Sequence, residues 1–294
     1  MLDRNFYESL SRLRLRMPHR SSLSAAGGHR STRKGSSMEF SDFREYMPGD
    51  DLRRVDWNIY ARLDKLYIRE YMEEKESQVT VLLDTSASMD YGADSKAELA
   101  KDLAAVVSFL ALNNMDRVLL CDMRDMSRPL SAGGGRNAFA KVLGWLEHLE
   151  FSGEVDMLSA IRKMKSRGSG VTVVISDFLH PDMLDDLAAV ANYGKLLQYL
   201  NYCSQYPVIL HTLAAEELHV RFQGALHLID AETKSRQRLV VDAKAIDSYE
   251  LELSRFVGRM RKGCSSGGGT YVLCDTGKDR RQLVFQDLRV IYDI

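Results

Sequence analysis

Cysteine is scarce and scattered: Cys121, Cys203, Cys264 and Cys274 are the four in 294 residues, and no two stand in a C-x-x-C pair. That spacing offers neither a zinc site nor a disulfide framework, so free thiols in a reducing cytoplasm are the expectation. Long apolar runs are also missing. The longest, LAAVVSFLAL at residues 103–112, is about half of the roughly 20 residues a membrane-spanning helix needs, and it reads as a buried helix. The N-terminus, MLDRNFYESLSRLRLRMP, interrupts its apolar positions with charges, so no secretory leader is expected. Charge of one sign is lacking as well, since 40 basic residues against 41 acidic ones leave a net charge of -1. No global field therefore recruits nucleic acid or an anionic membrane. No G-x-x-x-x-G-K-[ST] loop is present for nucleotide hydrolysis, and no serine-hydrolase elbow is expected.

What is present falls into three stretches. Residues 1–37 hold eight Lys or Arg against Asp3 and Glu8, and close with SSLSAAGGHRSTRKGSS. This predicts a short helix followed by a mobile loop. Nucleic-acid binding through this basic segment is one alternative, but an interleaved stacking platform is missing and a solvated or partner-docking segment fits better. Residues 38–78 mix aromatics with paired charges around the turn Pro48-Gly49-Asp50, with Asp50 expected to cap a short helix. Arg44, Arg53, Arg54 and Arg62 lie among Asp42, Asp50, Asp51, Asp56 and Asp64. The expectation is a paired network beneath Trp57 and Tyr46, because guanidinium groups favour planar carboxylate pairing; a docking surface is the alternative. From residue 79 an α/β alternation begins. VTVLLD, RVLLCDM, VTVVIS, PVILHTLA and TYVLCD read as strands, separated by helical periodicity at 96–112, 137–149, 156–165, 182–203 and 243–262, and 225–242 reads as a hairpin. This spacing predicts a doubly wound, mainly parallel sheet with helices on both faces.

In open parallel sheets function gathers at the carboxyl ends of the strands. Two of those ends stand out here: Asp84-Thr85-Ser86-Ala87-Ser88-Met89 and Ser176-Asp177-Phe178. An Asp-x-Ser-x-Ser turn places one carboxylate and two hydroxyls around a small concavity, and a second strand-end carboxylate adds charge there. Magnesium favours such oxygen ligands and keeps several of its waters. The competing view is that a serine caps the next helix while Asp84 and Asp177 bond loop amides. A metal-dependent phosphoryl hydrolase is a further alternative, but such enzymes place a second acid two residues after the nucleophile, where this chain has Ser86.

VTVLLDTSASM together with VVISDF resembles the von Willebrand factor A fold and its metal-ion-dependent adhesion site. The stretch EFSDFREYMPGDDLRRVDWNIYARLDKLYIREYMEEKE at 39–76, with Arg44, Tyr46, Gly49-Asp50-Asp51, Arg53, Asp56-Trp57 and Ala61-Arg62, resembles the bacterial family called domain of unknown function 58. The resemblance implies a family-specific subdomain at 38–78 and an A-like domain at 79–294 that includes the C-terminal hairpin, helix and strand. It also implies roles. Ser86 and Ser88 would hold Mg2+ or another divalent cation through their hydroxyls, Asp84 and Asp177 would act through coordinated waters, Asp156 is a further possible ligand, and Thr85 and Met89 would touch a partner. One departure stands in the loop that usually supplies a threonine: Val155 occupies that place and offers no ligand atom. The function the resemblance implies is a non-enzymatic adaptor working with a MoxR-type AAA+ ATPase on an unidentified client protein.

Overall fold

The computed structural model describes residues 2–16, 38–73, 78–133, 136–164, 168–180, 183, 186–232 and 234–293. The loop expected after the N-terminal helix falls at 17–37, outside the described residues. The chain divides into two compact units, residues 1–18 with 77–294, and residues 19–76.

The elements of the chain, in order, are α1 (Arg4–Ser9), β1 (Arg14–Leu15), β2 (Met38–Glu45), α2 (Trp57–Leu63), β3 (Tyr67–Glu73), β4 (Gln78–Leu83), α3 (Lys96–Asn113), β5 (Arg117–Asp122), β6 (Leu130–Ala132), α4 (Phe139–Glu147), α5 (Met157–Arg162), β7 (Gly170–Ser176), α6 (Asp186–Tyr202), β8 (Gln205–Leu213), α7 (Ala215–Leu218), β9 (Gly224–Ile229), β10 (Arg236–Val241), α8 (Ala243–Ser266), β11 (Thr270–Asp275), α9 (Arg280–Phe285) and β12 (Tyr292–Asp293).

The large unit is built on a six-stranded sheet in the order β11-β8-β7-β4-β5-β6. All neighbours are parallel except β6, which runs antiparallel along β5. The continuous apolar strands follow from two covered faces. Along β4, Val79, Val81 and Leu83 enter one core cluster with α3 and α4, while Leu82 enters another with α5, α6 and α8. Val173 and Ile175 against Val174, and Val208 and Leu210 against Ile209, repeat that alternation. Helices on both faces of a mainly parallel sheet make this a doubly wound α/β fold.

The first residues join this core rather than standing apart. Asp3 caps α1 by accepting from the Phe6 amide at 2.7 Å. Phe6, Tyr7, Leu10, Leu13 and Leu15 are buried in the first cluster, with the Tyr7 ring 4.9 Å from that of Phe139. β1 pairs antiparallel with β12, and Arg16 Nη2 lies 2.7 Å from Asp293 Oδ1. The basic stretch read as 1–37 is thus divided, its first part being a piece of the large unit.

In the unit 19–76, β2 and β3 form an antiparallel pair with an irregularity between Phe40 and Asp42. Asp50 is not a helix cap. It receives a bidentate bond from Arg44, both arms at 2.9 Å, and accepts from the Met47 amide at 2.8 Å. Asp51 caps the turn at Leu52–Arg54 and Asp56 caps α2. Of the expected network the Arg44–Asp50 pair is present, while Trp57 and Tyr60 are exposed, edge to face at 6.0 Å.

Candidate functional site

β4 and β7 are neighbours in register, Leu83 beside Ile175, so their carboxyl ends deliver Asp84 and Asp177 to the same edge of the sheet. The Asp84 amide continues the ladder by donating to Ile175 O at 3.0 Å. Its carboxylate then turns inward, Oδ1 accepting from the Ser86 amide at 3.0 Å and Oδ2 from Ser176 Oγ at 2.5 Å. Ser86 Oγ and Ser88 Oγ lie 3.0 Å apart. The loop is clamped from the side by residues 152–153: the Ser152 amide donates to Thr85 O and the Ala87 amide to Gly153 O, both at 2.9 Å. Gly153 reaches that position with φ of +69°, in the left-handed region that favours glycine.

Asp177 is held by a different set of groups. Its Oδ1 accepts from the Leu179 amide at 3.1 Å, and its Oδ2 lies 2.7 Å from Lys96 Nζ. Lys96 opens α3, is wholly buried, and makes a second ion pair of 2.6 Å to Glu217 of α7. Burial alone would lower the lysine's pKa, but Asp177 and Glu217 more than offset it and the net direction is up. Asp84 is displaced upward, first by its own burial and then by the charge of Asp177. Behind them His211 donates from Nε2 to the carbonyl of Asp177 at 2.8 Å, because a carbonyl only accepts; its Nδ1 then accepts from the Tyr271 hydroxyl at 2.7 Å. Full burial lowers the His211 pKa to about 4, so the ring is neutral at pH 7. Phe178, fully buried against Tyr193 and His211, has φ of +53°, a strained value for a bulky residue.

The structure therefore sets Asp84, Ser86 and Ser88 in one loop and Asp177 at the end of the neighbouring strand, and it buries most of them. Asp84, Ser86 and Asp177 are 5%, 3% and 2% exposed, and Ser88 alone of the four is half-exposed. The expected partner contacts of Thr85 and Met89 need correction. Thr85 and Met89, expected to meet a partner, are both fully buried; the Thr85 hydroxyl is bonded to Asp122, and Met89 lies in the core. Asp156 caps α5, accepting from the Ser159 amide at 2.9 Å. Val155 is buried in the second core cluster. The run Gly263-Cys264-Ser265-Ser266-Gly267 does spell G-x-S-x-G, but it ends α8 instead of following a strand, and Ser265 Oγ donates to Arg261 O at 3.1 Å. It makes no nucleophile elbow.

Lys96, Glu217, His211 and Asp122 are the residues sequence reasoning missed. A further acid comes from the turn between β9 and β10. The strands of this hairpin are largely exposed, yet Ala231 and Glu232 at its tip are half-buried. Burial raises the Glu232 pKa first, and the charges of Glu154, Asp177 and Asp84 add to it while His180 opposes them. The tip thus brings another carboxylate into the field of the pocket.

The donors suit a hard cation in one respect. Magnesium holds octahedral oxygen ligands at about 2.1 Å, which separates adjacent ligands by about 3 Å, and the two serine hydroxyls have that spacing. Among the described residues no group of three or more His, Cys, Asp and Glu is arranged to hold a metal, so any cation here would rest on hydroxyls with carboxylates behind them. Among the described residues, too, no helix is long and apolar enough to cross a membrane.

Comparison with known proteins bears on most of the chain. The uncharacterized proteins Rv1480 of Mycobacterium tuberculosis (strain ATCC 25618 / H37Rv) and Mb1516 of Mycobacterium bovis are each 25% identical over 252 residues, covering 82% of this chain and 76% of theirs. Among solved structures, the conserved hypothetical protein BatB from Bacteroides thetaiotaomicron is similar with a TM-score of 0.40 and 15% identity, over 73% of this chain and 98% of that one. An aerotolerance-related membrane protein from Bacteroides fragilis is similar with a TM-score of 0.37 and 16% identity, over 73% of this chain and 99% of that one. Likeness at that level transfers no function. The family described as protein of unknown function DUF58 matches residues 42–251, and with most of its length inside that match the chain belongs to the DUF58 family.

Proposed function

We propose that this chain is a non-enzymatic, cytoplasmic interaction module of von Willebrand factor A type, with a divalent cation seated at the strand-end loop. The observation that carries the reading is the pair of hydroxyls, Ser86 Oγ and Ser88 Oγ, 3.0 Å apart, with two buried carboxylates behind them. Ser86 and Ser88 would hold Mg2+ directly, and Asp84 and Asp177 would hold its waters. The ion would supply a positive anchor for an acidic side chain of a partner, which reaches it past Ser88. The sheet order, with one antiparallel edge strand, also supports an A-type domain.

The hairpin supports an interaction role independently of the metal. Leu226 and Leu239 are cross-strand partners, and Leu228 lies two residues along on the same face. Leu228 and Leu239 are exposed, and exposed apolar groups side by side favour association. The partners we propose are a MoxR-type AAA+ ATPase and a client protein; they rest on the family resemblance.

The test is a magnesium titration followed by thermal melting, on the wild type and on Ser86→Ala. A ligand that binds only the native state stabilises it by mass action, so the wild type should melt higher with added Mg2+ and Ser86→Ala should not respond. An unresponsive wild type would sink the cation. Retention of the ATPase should fall for Asp84→Ala, and equal retention would show that the loop is not the contact. A hydrolase reading finds Ser86 where its second acid belongs, and no observation favours it.

A further inference from the structure

The most unusual charged group outside the ligand set is Lys96, whose side chain is 1% exposed and lies between two acids from different segments. Building on the cation reading above, we propose that Lys96 is the built-in counter-cation of the pocket: it competes with a divalent ion for Asp177 and so sets how tightly that ion is held. The geometry gives the reason. Asp177 Oδ2 is 2.7 Å from the ammonium and Oδ1 accepts from the Leu179 amide. Asp84 likewise has one bond on each oxygen. An ion at Ser86 and Ser88 therefore meets neutral hydroxyls backed by carboxylates that are already engaged. Attraction between opposite charges is strong where water is excluded, so an ammonium already bonded to Asp177 works against the ion.

Lys96 also has somewhere to lean. Glu217 accepts from Nζ through Oε1 at 2.6 Å, while its Oε2 accepts from the Ala214 amide at 2.7 Å and anchors it. When an ion draws on Asp177, the ammonium keeps its bond to Glu217, and the cost of giving up Asp177 is reduced. Glu217 lies in α7, which leads by a short segment into the β9–β10 hairpin, and its carbonyl accepts from Tyr249 of α8 at 3.0 Å.

Two substitutions move the affinity in opposite directions. Lys96→Met keeps the length of the side chain and removes its charge, and should tighten the binding of Mn2+ at least tenfold. Glu217→Gln leaves Lys96 to Asp177 alone and should weaken it at least threefold. The measurement is free Mn2+ by electron paramagnetic resonance, on the full chain with Mn2+ alone, alongside far-ultraviolet circular dichroism of each variant. Ser86→Ala placed on Lys96→Met should abolish the tightened site. If Lys96→Met does not fold, Glu217→Gln decides by itself. Wild-type binding with an unchanged dissociation constant in the folded variants overturns the role of Lys96 and leaves the cation site standing. No Mn2+ binding by the wild type or any variant overturns the cation site itself, and this role with it.

Discussion

Lys96 and Asp177, 81 residues apart in the chain, meet at 2.7 Å with both side chains buried. The bond joins the first residue of α3 to the end of β7, and Glu217 adds α7 to the same ammonium. Removing one partner of a buried pair leaves an uncompensated charge, which costs about 3–5 kcal/mol. Lys96→Ala is therefore expected to lower unfolding free energy by that amount in urea, with the denaturant slope unchanged. A loss below about 1 kcal/mol would show that Asp177 and Glu217 find other compensation.

His211 predicts a pH dependence whose sign is fixed by its lowered pKa. Above its unfolded value, roughly 6.5, the ring is neutral in both states and contributes nothing. As pH falls from there to about 4, the unfolded chain takes up a proton that the buried native ring refuses. Stability then drops by up to about 1.4 kcal/mol per pH unit, roughly 3 kcal/mol in all. Asp84 and Glu217, held above the usual carboxylate range by burial, act in the opposite direction because the native state protonates them first. The histidine is isolated by the difference between wild type and His211→Gln across pH 7 to 4. Parallel curves would rule it out.

Gly153→Ala tests the clamp on the serine loop. With φ of +69° an alanine is strained by about 1–2 kcal/mol, although nothing lies within 4 Å of the added carbon. A loss of that size in urea, together with weaker Mn2+ binding, is expected, because the Gly153 carbonyl holds the Ala87 amide between the two serines. Weaker stability with unchanged binding would separate the clamp from the pocket.

Val155→Thr supplies the hydroxyl that this chain lacks relative to the A-type loop it resembles. Without an ion, an unsatisfied buried hydroxyl costs about 1–3 kcal/mol, so the variant should melt lower than wild type. Added Mg2+ should raise its melting temperature more than it raises that of the wild type. An equal response in both would mean that position 155 does not face the ion.

The scaffold was legible because burial on both faces forces strands such as VTVLLD and VTVVIS to be continuously apolar, and that pattern needs no tertiary knowledge. The convergence of Asp84 and Asp177 followed from the rule that strand ends collect at one edge. What escaped depends on distant partners. Lys96 begins a helix, where a lysine reads as a solvated charge, and its burial is decided by acids 81 and 121 residues away. His211 sits inside an apolar strand and becomes meaningful only through the carbonyl of Asp177. The edge strand at Leu130–Ala132 is too short to leave a periodic signal, and the pairing of Arg14–Leu15 with Tyr292–Asp293 joins segments from opposite ends of the sequence. Thr85 and Met89 misled because an Asp-x-Ser-x-Ser loop looks open in one dimension, whereas the fold turns these side chains inward.

The tip that carries Glu232 has a consequence for insertions and deletions. β9 and β10 are locked in a ladder from Gly224–Val241 to Ile229–Arg236, and side chains alternate between faces with a period of two. A single residue added to one arm would turn that arm's leucine positions over and swing the acidic turn away from the sheet edge. Hairpin length, rather than any one contact, then decides whether the Glu232 carboxylate stays within the electrostatic reach of Asp84 and Asp177.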